Sequence, residues 1–211
     1  MNPVQSLIQA VEAASSSEAL VQATRALAAC GQPEAGPVLV QVLGFNNPGA
    51  AVAAVDGLIA LGPAAMDALL QLDPQNYGAR AWAVRALAGI GDVRGLPVLI
   101  DALGGDVAAS VRRAAARGLG HLNLAALETA ERQQLSEHCL GALEAACGDG
   151  EWVVRYAVAV GLEGLARHLK PPSPAWQRAE RGLIRLAQAA DHNPIVVQRR
   201  ANLALSRLRQ P

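Results

Sequence analysis

Six leucines, each set in the same short pattern, constrain this chain more than any other feature. They are Leu27, Leu58, Leu87, Leu119, Leu162 and Leu205, in "ALVQATRALAACG", "AAVAAVDGLIALG", "ARAWAVRALAGIG", "VRRAAARGLGHLN", "WVVRYAVAVGLEGLA" and "VVQRRANLALSRL". Their separations are 31, 29, 32, 43 and 43 positions. Four positions earlier stands a small or β-branched residue: Ala23, Ala54, Ala83, Ala115, Val158 or Ala201. The residue just before each leucine is always Ala or Gly, and the third after it is Cys30, Leu61, Ile90, Leu122, Leu165 or Leu208. With the apolar residue eight positions before (Ala50, Ala79, Val111, Val154, Val197), these offsets trace one face of an α-helix. The small residues let such helices approach closely.

Between the leucine-bearing helices a second helix fits. "GPVLVQVLG" (36–44) and "LPVLIDALG" (96–104) echo one another, with Pro37 and Pro97 in first-turn positions. The two longest steps leave room for longer second helices, about 129–147 and 174–190, the latter opened by Ser173 as cap and Pro174. Helix pairs at this spacing give an all-α fold, an α-solenoid of about six HEAT-like helix-pair repeats. Residues 1–211 are expected to form a single repeat domain, with shorter repeats over about 1–122 and longer-helix repeats over about 123–211. At 52% hydrophobic, the chain has ample material for a core.

Acids and bases balance at 18 each, so composition gives no reason to expect nucleic acid as a partner or membrane insertion. Nearly all the positive charge is Arg, Lys170 being the lone Lys, which tilts local sites toward planar, bidentate recognition of carboxylates or phosphates, although a GC-rich genome produces the same bias. Three Cys do not make a disulfide framework; Cys139 and Cys147 share a helix stripe with Leu135 and Leu143 and are expected in the core. His121, His138, His168 and His192 are scattered, so no metal site is expected. P-loop, HExxH, CxxC-pair and GxSxG motifs are missing. With no basic, apolar-centred leader and with Asp56 interrupting the most apolar region, the expectation is a soluble, cytoplasmic protein.

One junction stands apart. "NYGARAW" (76–82) puts Tyr77, Arg80 and Trp82 within six positions of a chain that has only six aromatic residues. Its counterparts "NNPGAAV", "GGDVAAS", "GDGEWVV" and "DHNPIVV" each offer Asn or Asp ahead of a helix, as N-caps require, and Asn47-Pro48 and Asn193-Pro194 pair a cap with a proline. Arg80, Arg112 and Arg155 all lie seven before the leucine, so they form a column along one side of the stack. Arg113, Tyr156 and Arg199 form the next, and Trp82 and Arg200 the one after. Arg at the first of these positions has two readings, carboxylate pairing between repeats or ligand binding. Tyr77 and Trp82 point to a binding surface, because aromatics beside a cation form a natural one.

"GFNNPGAAVAAVDGLIALG", "NYGARAWAVRALAGIGDVRGLPVLIDAL", "SVRRAAARGLG" and "EWVVRYAVAVGL" closely resemble the F-type subunit of the cyanobacterial E/F phycobilin lyases, over about residues 44–165. Within that group the chain is most similar to the lyases that act on the phycocyanin α subunit. The resemblance implies a heterodimer with an E-type lyase subunit that delivers phycocyanobilin, a linear tetrapyrrole, to a cysteine of the phycocyanin α subunit as a thioether. No cofactor is permanently bound; the bilin is the substrate. Holding the chromophore in one conformation is then catalysis by orientation. Bilin propionates call for Arg80, Arg112 and Arg155. Pyrrole N–H groups call for Asp56 or Asp101, either of which can also serve as a proton donor. Tyr77, Trp82 and Tyr156 complete the expected bilin-binding set. "SEHCLG" (136–141) contains a His-Cys pair similar to that of isomerising relatives but with different flanks, so isomerisation is not implied. Two alternatives stand beside this one: a non-catalytic scaffold in phycobilisome assembly or turnover, and a lyase for another bilin or acceptor subunit.

Overall fold

The computed structural model describes residues 3–73, 75–189 and 193–210, and among these there is no β-strand. The chain divides into two compact units, Met1–Gly95 and Leu96–Pro211. The first unit contains α1 (Pro3–Glu12), α2 (Ser17–Ala29), α3 (Gly36–Val42), α4 (Pro48–Leu61), α5 (Met66–Leu70) and α6 (Tyr77–Ile90). The second contains α7 (Leu96–Gly105), α8 (Ala109–Leu119), α9 (Thr129–Ala145), α10 (Trp152–Ala166), α11 (Pro174–Ala187) and α12 (Ile195–Leu208).

In each unit the leucine-bearing helices form one layer. α2 packs on α4 and α4 on α6; separately, α8 packs on α10 and α10 on α12. The shorter α3 and α5 back the first layer, and α7, α9 and α11 back the second. All six repeat leucines are buried, as are Ala50, Ala79, Val111, Val154 and Val197 eight positions before them. The stripe read from spacing is therefore the core, and the fold is the expected α-solenoid of HEAT-like helix pairs. Cys139, Leu143 and Cys147 are buried on one face of α9 and the turn after it, as their four-residue spacing demands. Arg178 of α11 bonds Glu137 and Glu144 of α9, tying the backing layer together.

Small residues set the helix spacing. α8 and α10 meet backbone to backbone: a Cβ on Gly161 would overlap the carbonyl oxygen of Ala116, and one on Gly164 that of Gly120. Neither atom belongs to a flexible side chain that could move aside. Gly161→Ala is therefore expected to destabilise the second unit by about 2 kcal/mol, as overpacking does, read as a lower urea midpoint with an unchanged slope. An unchanged midpoint would mean that α8 and α10 do not meet so closely.

The segment Pro48–Leu70 is long and apolar enough by composition to cross a membrane, but the chain turns at Gly62, in a positive-φ conformation, between α4 and α5. Half of its most apolar window is buried among the neighbouring helices. It is a core segment of a helical stack.

The caps differ from expectation at three junctions. Asn47, Asn76 and Ser173 cap α4, α6 and α11 as their position suggests. Asp106 and Asp149 instead accept a bond from the backbone two residues on, at Ala108 and Glu151, and α8 and α10 start later. Asn193 does not cap α12, whose cap position is Pro194. Its side-chain oxygen is taken by Arg155, so it is unavailable to the helix.

Candidate functional site

The arginine column builds joints between repeats. Arg112 makes a two-pronged bond to Asp149, the loop before α10, at 2.7 and 2.9 Å. It also donates to the carbonyls of Asp106 and Val107. Arg155, 8% exposed, repeats this one step along: it donates to Asn193 and to the carbonyls of Asp149 and Gly150. A guanidinium is suited to this because its rigid fork satisfies several orphan loop carbonyls at once. Burial pushes the Asp149 carboxyl up, but the bonds from Arg112 and the Glu151 amide outweigh it and hold it below the usual range. Of the two readings of these positions, pairing between repeats is the one their observed bonds serve. Arg80 occupies the same place in α6 and is half-buried.

The open face of the first unit, away from the backing helices, has a different character. Arg25, Asp56 and Arg85 all lie two positions before a repeat leucine, on α2, α4 and α6, and all are exposed. A groove of about 330 Å³ runs between α2 and α4. Its floor includes Ala28, Ala53 and Gly57, flat for want of larger side chains, and Arg25 and Asp56 both line it. Among the described residues neither is ion-paired. Val52 and Ile59 add exposed apolar surface on the same helix, 48% and 37% exposed. On α6 the Arg85 guanidinium lies over the Trp82 ring, 4.4 Å from its centroid, a cation–π contact that holds both groups in place. Tyr77, the first residue of α6, is 77% exposed.

This arrangement suits a flat, conjugated ligand that carries both N–H donors and carboxylates. Small residues leave room for it, Trp82 offers a ring to stack on, Asp56 an acceptor for its N–H groups, and Arg25 and Arg85 donors for its acids. Of the residues selected from sequence, Asp56 lines this groove and Trp82 stands on the neighbouring α6; Arg25 and Arg85 were not among those selected. Their shared register with Asp56 was the signal that could have found them. A larger cleft of about 750 Å³ in the same unit is lined by Gln41, Phe45, Asp67, Gln71, Asp73 and Asn76, among others. Among the described residues its lining includes no cation and none of the expected site residues.

In the second unit Asp101 is exposed on α7, a backing helix, and so does not share a face with Tyr156, which is half-buried on the open side of α10. Glu163, also on α10, has a side chain only 3% exposed and accepts from Arg167, Arg200 and Arg207. Cys139 is buried, and burial pushes its thiol up to about 12, while the neighbouring His138 is exposed. Adjacent helix positions thus separate the two, and they form no dyad. His192 lies outside the described residues. Among the described residues no three His, Cys, Asp or Glu side chains converge on a possible metal position.

Comparison with known proteins follows the same lines. The family model of the PBS lyase HEAT-like repeat matches residues 19–45, and that of HEAT repeats matches residues 66–139. "Phycocyanin alpha phycocyanobilin lyase CpcF" of Synechocystis is 54% identical, over 80% of this chain and 81% of its own length. A "phycobilisome maturation protein" of Synechococcus elongatus is 50% identical over 96% of each chain. Among solved structures, the complex of CpcE and CpcF of phycocyanin lyase from Nostoc matches with a TM-score of 0.72 at 42% identity. That match covers 82% of this chain and 99% of the other.

Proposed function

The chain belongs to the F-type, or beta, subunits of the heterodimeric phycocyanobilin lyases, and we propose that its part is to hold the tetrapyrrole on the open face of its first unit. It is a lyase subunit that works with an E-type partner in attaching phycocyanobilin to the phycocyanin α subunit. The bilin arrives as substrate, is not retained, and leaves as a thioether on an acceptor cysteine, all in the cytoplasm.

The observation that supports this placement is the pair of unmatched charges, Arg25 and Asp56, on one groove of small residues beside the Trp82–Arg85 stack. In the reaction the acceptor thiolate adds to the exocyclic double bond of the bilin. A carbon–sulfur bond forms, and the displaced electron pair is taken up by the protonated tetrapyrrole. The Asp56 carboxylate, facing the pyrrole N–H groups, stabilises that cationic form. Arg25 and Arg85 hold the propionates, with Arg80 a further cation of this unit, and Trp82 and Tyr77 stack on the rings. Fixing one conformer against the incoming thiolate accelerates addition by orientation.

Non-covalent capture tests the site. Phycocyanobilin titrated into the heterodimer is expected to gain induced circular dichroism as its conformation is fixed. Trp82→Ala with Arg85→Ala is expected to weaken that binding about 30-fold or more, from lost stacking and one lost charge-assisted bond. Equal affinity in the double variant would place the bilin elsewhere.

A further inference from the structure

The second unit presents a basic face that the bilin site does not use. α8 has three arginines, α10 one and α12 three, against a single acid, Glu163, although the chain as a whole is neutral. Arg112 and Arg155 are turned into the loops, and Arg200 is bound inward to Glu163. What remains outside is Arg113 and Arg117 on α8 and Arg199 and Arg207 on α12, all exposed. Arg113 and Arg199 share their offset from the repeat leucine with Tyr156 of α10, and α10 lies between the two helices. These side chains therefore emerge on one face. Among the described residues Arg113, Arg117 and Arg199 have no carboxylate partner. Among the described residues the other acids of this unit lie on the backing helices and loops, for example Glu137, Glu144 and Asp149.

We infer that this face of α8, α10 and α12 is where the protein acceptor docks, through an acidic surface of its own. The inference rests on the lyase assignment. A lyase must meet its acceptor and release it at each turnover, and complementary charge serves fast, reversible, salt-sensitive encounter. The permanent partner subunit calls for a different surface, because stable interfaces are apolar at their centre and depleted in charge there. The large apolar side chains exposed on these helices, Trp152, Ile195 and Val196, lie at the starts of α10 and α12, with Leu203 alone further along, so they form no continuous apolar centre for such a partner.

The test measures association of the intact heterodimer with the bilin-free acceptor by stopped flow, at about 50 and about 300 mM salt. The wild-type rate constant is expected to fall about 10-fold across that range. The triple variant Arg113→Gln, Arg117→Gln, Arg199→Gln is expected to start about 10-fold lower and to be nearly flat, while the Lys counterparts restore both rate and slope. Turnover at saturating acceptor and affinity for the E-type subunit are expected to be unchanged. A triple variant that keeps the wild-type salt slope overturns the inference. So does one that loses the E-type subunit, or a wild-type face that prefers a DNA duplex to the acceptor. If wild type attaches no bilin to the acceptor at all, it is the lyase assignment that fails. If attachment proceeds and the slope persists in the variant, only the docking face is wrong.

Discussion

Glu163→Ala is expected to be among the most destabilising single substitutions in the second unit, lowering its unfolding free energy by about 3 kcal/mol. The carboxylate sits between α10 and α12 and accepts from three guanidiniums. Arg167 and Arg207 are 58% and 49% exposed and can swing to water when it is removed. Arg200, at 11%, cannot, and one of its nitrogens is already buried without a hydrogen-bond partner. The loss therefore comes chiefly from one stranded cation, which puts the estimate at the lower end of the range for broken buried pairs. Glu163→Leu combined with Arg200→Met is expected to recover most of it, since apolar isosteres remove both charges together.

The same carboxylate sets an acid limit. Burial pushes Glu163 up, but the bond from Arg200 and the charges of Arg200 and Arg167 outweigh it and hold the carboxyl below its ordinary value of 4.5. The unfolded chain thus binds this proton more readily than the folded one. The stabilisation is fully present above about pH 4.5 and is lost as pH falls through the folded value. Urea midpoints followed from neutral pH to pH 3 are expected to fall more steeply in wild type than in Glu163→Ala. Parallel curves would mean that the carboxylate is not held by its arginines.

The second large effect concerns transfer. Arg25→Gln with Asp56→Asn is expected to lower the rate of bilin attachment at limiting bilin by about 100-fold or more, with little change in stability. Each substitution removes one charge-assisted bond to the chromophore, worth about 1.5–3 kcal/mol. Both side chains are exposed, and neither has an ion-pair partner among the described residues whose loss would disturb the fold. Arg155→Gln reverses this pattern, costing stability through Asn193 and the loop carbonyls. Comparing the two variants by denaturation and by single-turnover attachment separates binding groups from joints. If Arg25→Gln with Asp56→Asn transfers bilin at the wild-type rate, the groove is not the bilin site.

The core was legible because its signal is periodic. A leucine, a small or β-branched residue four before it and an Ala or Gly just before it recur at every repeat, and in a solenoid each repeat solves the same packing problem. The N-caps followed where the side chain had no competitor, as at Asn47, and failed where a distant group claimed it, as Arg155 claims Asn193. The arginine column was legible as geometry, but not as chemistry. Spacing places Arg112 and Arg155 in a row without saying that Asp149 and Asn193 await them in the next loop, and four carbonyls in the loops before their own helices. Arg25 and Arg85 escaped notice for the opposite reason. Nothing local marks an exposed Arg as important until the helices on either side show a groove of small residues beneath it.

Covalent attachment in a reconstituted system tests the central claim most directly. The chain is produced together with an E-type subunit, a phycocyanin α chain and phycocyanobilin, and denatured acceptor is assayed for bound bilin by zinc-enhanced fluorescence. The expected result is an adduct that requires both lyase subunits and the acceptor cysteine. An adduct that forms equally well without this chain, while the heterodimer is shown to assemble, would contradict its assignment as a working half of the lyase.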